Sequence, residues 1–210
     1  MLVLGDAHAA DPENREALRS AYDAADADVA LHVGDLEYYD LPVPTYFVAG
    51  NNEDFDVVES MRQNATLGDR NARLLASTAV EVSGLRVAGL SGNYAPTRYE
   101  KSRDELSGDR RRHFTHEDVR SAIELSDVDV FLTHEPPQGF MGRGCAHVDD
   151  ILRALRPELC LVGHHHRHAE GRFEDTRLVG LEPVWESYYT MDPETLELER
   201  HDTPGSAADG

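Results

Sequence analysis

The stretch Leu159-Cys160-Leu161-Val162-Gly163-His164-His165-His166 runs four apolar residues into a glycine and three histidines. Met1-Leu2-Val3-Leu4-Gly5-Asp6-Ala7-His8 repeats the plan far upstream: an apolar run, a glycine, then two potential ligands one residue apart. In an extended segment alternate side chains project to the same side. Asp6 with His8, and His164 with His166, are therefore expected to face one point from the ends of two strands. Such pairs predict a metal site, and they predict further ligands at further strand ends in the intervening chain.

The intervening chain alternates strand-like and helix-like segments. Asp11 reads as an N-cap before Pro12, and Ala17, Leu18, Ala21, Tyr22 and Ala25 form one helical face. Apolar runs at Val29 to Val33 and Thr45 to Ala49 end in Gly34-Asp35 and Gly50-Asn51-Asn52-Glu53, and Phe55 to Met61 is helix-like. Ala79 to Ser83 and Leu85 to Leu90 flank Ser83-Gly84 as a hairpin, followed by a long polar segment up to His113. Thr115-His116-Glu117-Asp118 is a capping box, with Val119, Ala122 and Ile123 on its helix. Asp129 to Leu132 then delivers Thr133-His134-Glu135-Pro136-Pro137, and Val148, Ile151, Leu152 and Leu155 line a helix stopped by Pro157. Pro183 to Met191 and Thr195 to Arg200 bracket Asp192-Pro193-Glu194 as a second hairpin. Strands alternating with helices imply parallel pairing, which gathers ligands beyond the carboxyl ends of the strands. One domain over residues 1–202 with a flexible tail at 203–210 is expected.

Composition narrows the class. The 210 residues are 40% hydrophobic, enough for a sizeable core. No apolar run approaches a membrane span and no signal-peptide pattern opens the chain, so a soluble, cytoplasmic protein without a membrane partner is expected. Cys145 and Cys160 lack paired-motif spacing and read as small buried hydrophobes. Forty acids face 20 bases, a net charge of −20, and Lys101 is the single lysine. Spread along the chain, that excess resembles proteins of salt-loving archaea, whose self-repulsion molar salt screens over about 3 Å. It argues against a broad basic face for duplex nucleic acid.

Asp6, His8, Asp35, Asn51, His134, His164 and His166 all lie just past predicted strands. Oxygen and imidazole donors without thiolate suit Mn²⁺, Fe or Zn²⁺, and the two oxygens of Asp35 suit a bridge between two ions. Two ions near one another activate water and neutralise a phosphoryl group, so phosphoester hydrolysis is the expected reaction.

These residues resemble the motifs of the calcineurin-like metallophosphoesterases: Asp-x-His, Gly-Asp, Gly-Asn-His-Asp/Glu, a lone His and Gly-His-x-His, in that order. The resemblance covers about residues 1–170 and implies an α/β fold of two mixed β-sheets packed as a sandwich with flanking helices, in four αββα layers. It implies that Asp6, His8, Asp35 and His166 hold one metal and Asp35, Asn51, His134 and His164 the other. The implied activity is phosphodiester hydrolysis by in-line attack of metal-bound hydroxide, with Mn²⁺ foremost and Fe, Zn²⁺ or Ni²⁺ as alternatives. A small phosphoester or nucleotide is the expected substrate.

Asn52 departs from the pattern, standing where the family carries a histidine that contacts phosphate and helps protonate the leaving oxygen. An amide donates hydrogen bonds but delivers no proton at neutral pH. Members with other residues there include bacterial and archaeal phosphodiesterases and a eukaryotic trafficking scaffold of little or no activity, so a non-catalytic scaffold is the rival function. A looser resemblance, carried by Leu90 to Tyr94, Arg112-His113-Phe114 and Asp129 to Pro137, is to RNA lariat debranching enzymes. It makes a nucleic-acid diester the less favoured substrate, with Arg111, Arg112 or His113 gripping a phosphate; an ion-paired or solvated loop is the competing reading of these arginines. Asn52 and His113 are the expected residues nearest the reacting phosphate. His165 is expected to point away from the metals, Tyr38 and Tyr39 to line the pocket or pack as a lid, and His32, His116, His147, His168 and His201 to be structural or exposed.

Overall fold

In the computed structural model, which describes residues 1–63 and 71–205, β1 (Leu2–Leu4) buries both of its faces. Leu2 and Leu4 join one apolar cluster and Val3 another, which is why the run is continuously apolar. α1 (Pro12–Ala25) starts where Asp11 accepts the Glu13 and Asn14 N–H groups at 2.8 and 3.3 Å, and it returns the chain to β2 (Ala30–His32). β3 (Thr45–Phe47), α2 (Phe55–Gln63) and β4 (Ala72–Leu74) come next. These strands form a six-stranded sheet in the order β12-β11-β1-β2-β3-β4, closed on the far side by the antiparallel strands β11 (Ser187–Met191) and β12 (Leu198–Asp202).

The second sheet begins with the hairpin β5 (Thr78–Val82) and β6 (Leu85–Leu90). α3 (Pro96–Tyr99) and two 3₁₀ turns, Arg103–Glu105 and Gly108–Arg112, occupy the segment that reads as one long polar loop. α4 (His116–Ile123) opens on the Thr115/Asp118 capping box, and β7 (Val130–Thr133), α5 (Ala146–Leu155) and β8 (Leu159–Val162) complete the parallel core. The order is β5-β6-β7-β8-β10-β9, where β9 (Ala169–Phe173) and β10 (Thr176–Gly180) form an edge hairpin.

Val3, Leu31, Val48, Val87, Leu132 and Leu161 fill the space between the sheets. Leu18, Tyr22 and Val58 from α1 and α2 cover the outer face of one sheet; Val119, Ile151 and Leu152 from α4 and α5 cover the other. The protein is thus an α/β sandwich of two mixed six-stranded sheets with helices outside, as expected from the sequence. Cys145 and Cys160 are free and buried in the core. Among the described residues no helix is long and apolar enough to cross a membrane.

Three differences from the sequence reading have physical causes. The β9–β10 hairpin went unread because β9 alternates half-buried and exposed residues at a sheet edge and its turn, Glu174-Asp175, lacks the glycine that usually marks one. β12 starts at Leu198 rather than Thr195, because Leu196 turns inward at φ 57° into the core between the sheets, lengthening the loop from Asp192 to Glu197. His201 and Asp202 belong to β12, and Thr203, read as tail, is buried, its hydroxyl donating to the Val184 carbonyl at 2.6 Å. Of the remainder of the expected tail, Pro204 and Gly205 are exposed, and residues 206–210 lie outside the described residues.

Candidate active site

The loops that leave β1, β2, β3, β7 and β8 at their carboxyl ends meet over the sandwich. They meet through left-handed bends rather than through simple strand alternation: φ is 45° at His8, 51° at Asp35, 58° at Glu37, 75° at His164 and 49° at His166. Such backbone costs on the order of 1–3 kcal/mol per residue and concentrates at functional sites. Glycines permit the approach. A Cβ on Gly34, whose φ is 112°, would collide with His134 Nδ1, and one on Gly50 would collide with Asp35 Oδ1.

The hydrogen bonds fix which nitrogens carry protons. His134 Nδ1 donates to the Val33 carbonyl at 3.0 Å, so in the neutral ring Nε2 holds a lone pair. That nitrogen lies 3.1 Å from Asn51 Oδ1, 3.1 Å from His164 Nδ1 and 3.7 Å from Asp35 Oδ2. His8 repeats the arrangement, with Nδ1 donating to Glu37 Oε1 at 2.7 Å. Its Nε2 lies 3.4 Å from His166 Nε2 and 3.5 Å from Asp35 Oδ2. Two groups of lone pairs therefore converge, one on each side, upon the Asp35 carboxylate. Asp6, Asp35 and His134 each offer a ligand atom within 4.8 Å of the others, and all three are buried.

This donor set fits divalent cations. Burial, with help from neighbouring imidazoles, holds His134 down to about 4, so it is neutral and ready to ligate. Burial, reinforced by the Asp35 charge, pushes the Asp6 carboxyl well above the usual carboxylate range, although it accepts the His164 N–H at 2.9 Å. Burial also lowers His166, with His8 adding to the effect. Buried like-charged oxygens and unprotonated nitrogens facing one another are costly alone; a cation between them reverses the sign.

A second layer holds these ligands, and the sequence reading missed most of it. Glu53 accepts the N–H groups of Leu36, Glu37 and Gly50 at 3.1, 3.0 and 3.3 Å and the Tyr39 hydroxyl at 2.6 Å, locking the loops after β2 and β3 together. Its burial pushes the carboxyl up to about 7. The backbone of Glu37 is thereby fixed, and its carboxylate in turn orients His8. The spacing Gly34-Asp35-Leu36-Glu37 was the available signal, an acid two residues beyond the expected bridge. Carboxylates behind ligating histidines usually contribute about 10- to 100-fold in metal affinity. Glu37→Ala is expected to weaken Mn²⁺ binding by about that factor, measured calorimetrically; unchanged affinity would remove Glu37 from the site.

The other expected site residues are held by different partners. Asn52 folds onto Asp35, donating its backbone N–H to Oδ1 at 2.7 Å and its amide to Oδ2 at 2.9 Å. His113 lies beside Asn93, its Nδ1 3.3 Å from the Asn93 carbonyl, in a strip tied to the loop after β3 by Gly92 N–H to the Ala49 carbonyl at 2.7 Å. Burial lowers its pKa, as do Arg112 and Arg98 nearby. Arg111 is ion-paired with Asp56 of α2 at 2.7 Å, while the Arg112 carbonyl accepts the Asn93 N–H at 3.0 Å. His165 is half-buried, and its ring Cε1 lies 3.3 Å from where a Cβ on Gly142 would sit. Tyr39 serves Glu53, and Tyr38 lies under the Arg15 guanidinium at 4.7 Å, so both brace the loop after β2. His32 is fully buried and accepts the Gly34 N–H at 3.2 Å, and His147 stacks on Tyr99 at 3.9 Å.

The protein is thus a two-sheet sandwich that gathers acids and imidazoles at its strand ends, with Asp6, Asp35 and His134 buried among them. The chain belongs to the calcineurin-like phosphoesterase family, whose model matches residues 1–168. It is 30% identical over 122 residues to the lariat debranching enzyme of Schizosaccharomyces pombe, covering 55% of this chain and 25% of that one. It is 27% identical over 172 residues to the lariat debranching enzyme of Entamoeba histolytica, covering 66% and 49%. The chain thus spans half or less of the curated relatives it matches. Among solved structures, TT1561 of Thermus thermophilus superposes with a TM-score of 0.72 at 19% identity, covering 96% and 97% of the two chains. Phosphopantetheinyl hydrolase from Mycobacterium tuberculosis gives 0.58 at 14% identity, covering 100% and 98%. At these identities both share the fold.

Proposed function

We propose that the protein is a dinuclear-metal phosphodiesterase acting on a small phosphoester or nucleotide in the cytoplasm. The observation that carries the reading is the convergence of two lone-pair groups on Asp35. His8 and His166, with Asp6, would hold one ion; Asn51, His134 and His164 the other; Asp35 would belong to both. Bound divalent ions, Mn²⁺ foremost with Fe, Zn²⁺ or Ni²⁺ as alternatives, would lower the pKa of water and neutralise phosphoryl charge. The chain's own groups do the rest. Asp35 is held in place by both Asn52 donors, and Glu37 fixes the tautomer of His8. Asn52, His113 and Arg112 are the groups we assign to the phosphate, the first as a hydrogen-bond donor; Arg111, paired with Asp56, joins them when that surface ion pair opens.

The debranching relatives favour a nucleic-acid diester as a second substrate, and a non-catalytic scaffold is the rival class. Mn²⁺-loaded protein at high salt is expected to hydrolyse bis-p-nitrophenyl phosphate faster than p-nitrophenyl phosphate. Faster turnover of the monoester would replace the diesterase reading with a monoesterase, and no Mn²⁺-dependent turnover of either would favour the scaffold.

A further inference from the structure

The chain's single tryptophan, Trp185, sits beside the site without helping to build the core. Among the described residues it packs with none of the three apolar clusters, whereas its neighbour Val184 is fully buried in one of them. Its ring lies 5.8 Å from the His8 ring and 5.4 Å from the His166 ring, and it is partly exposed. The turn that carries it is clamped on both flanks. Val184 N–H donates to the Asp6 carbonyl at 2.9 Å, and the Glu186 carbonyl accepts the Thr203 N–H at 3.1 Å. The Thr203 hydroxyl also donates to the Val184 carbonyl at 2.6 Å. A large flat apolar side chain is thus fixed at the mouth of a polar site, on a chain with twice as many acids as bases.

Contacts with the His8 and His166 rings take up only part of the indole, and its solvent-accessible remainder suits a ligand with an aromatic face. We infer that Trp185 is a stacking platform for an aromatic heterocycle next to the scissile phosphoester, so that the substrate carries a nucleobase. The inference rests on the phosphoesterase reading above and names the substrate class of that site. Removing a base-stacking aromatic typically weakens binding by about tenfold or more.

Two measurements test it, and they fail separately. Protein loaded with diamagnetic Zn²⁺ is titrated with adenosine monophosphate and with ribose 5-phosphate while the emission of the single tryptophan is monitored. Quenching by the first alone is expected; identical titrations overturn the platform whatever the catalytic outcome. In parallel, KM is measured for the methyl phosphodiester of a nucleoside 5′-phosphate and for the same diester without its base. The wild type is expected to favour the base-bearing diester by about tenfold. In Trp185→Leu that ratio should fall to near one, and Trp185→Phe should restore most of it. A ratio that is one in the wild type, or unchanged in Trp185→Leu, overturns the inference, as does a Leu variant whose only change is weaker metal binding by calorimetry. Hydrolysis of neither diester, together with no Mn²⁺-dependent turnover of bis-p-nitrophenyl phosphate, would instead overturn the phosphoesterase reading. Half-quenching at equal nucleotide concentration by the mononucleotide and a single-stranded oligonucleotide assigns a mononucleotide substrate; tighter binding of the oligonucleotide assigns a strand.

Discussion

Asp35→Asn is expected to cut Mn²⁺-dependent hydrolysis of bis-p-nitrophenyl phosphate by about a thousandfold, the equivalent of roughly 4 kcal/mol at about 1.36 kcal/mol per tenfold. The charge between the two histidine groups is lost, and the replacement amide is also mismatched to its neighbours. Asp35 Oδ1 accepts the Asn52 backbone N–H at 2.7 Å and Oδ2 accepts the Asn52 amide at 2.9 Å. Whichever way the introduced amide is turned, its NH₂ meets another donor, so the side chain must rotate away from both groups. The measurement is turnover with Mn²⁺ at high salt, alongside His164→Ala as an independent removal from one group. If both variants match the wild type, the dinuclear mechanism is wrong.

The same substitution has a second signature in metal-free protein. Burial and the Asp35 charge raise the folded-state pKa of Asp6. A raised carboxyl binds more protons folded than unfolded, so its contribution to stability is lost as pH rises from the unfolded carboxyl range through the folded value. Neutralising Asp35 removes part of that upward shift. Thermal melts of metal-free Asp35→Asn should therefore fall less steeply with rising pH than those of the wild type.

The ligand positions were legible in the sequence because apolar runs with both faces buried are interior strands, and the residues just past such strands in a parallel sheet gather at one edge. The means of convergence was not legible. His164 and His166 meet their partners through positive φ, a conformation that sequence alternation does not encode, although Gly34 and Gly50 hint at close approach. Glu37 escaped because, although it lies two residues beyond Asp35, one acid among 40 does not stand out until its distance to His8 is known. Trp185 escaped for the opposite reason: a lone tryptophan near an apolar run reads as core, and only the packing reveals that it is not. The helix starts at Asp11 and Thr115 were readable because capping chemistry is local; the β9–β10 pairing was not, because an edge strand is half-solvated and its alternation weak.

Asn52→His is expected to raise turnover of alkyl phosphodiesters, whose leaving oxygens need a proton, while changing bis-p-nitrophenyl phosphate little. Asn52 supplies two donors to Asp35 and no transferable proton. The backbone bond at 2.7 Å survives any side chain. An imidazole Nδ1 branches from Cγ as the Asn amide nitrogen does, so Nδ1–H can keep the bond to Asp35 Oδ2 while Nε2–H turns outward. The adjacent carboxylate would favour the imidazolium, the form that donates. A positioned general acid contributes about 10²- to 10⁴-fold, and a new one on an unoptimised loop should reach the lower end of that range. The gain should fall away above the imidazole pKa, which separates proton donation from tighter phosphate binding. No rise in kcat for an alkyl diester, or a rise independent of pH, would show that the missing proton donor is not what limits this site.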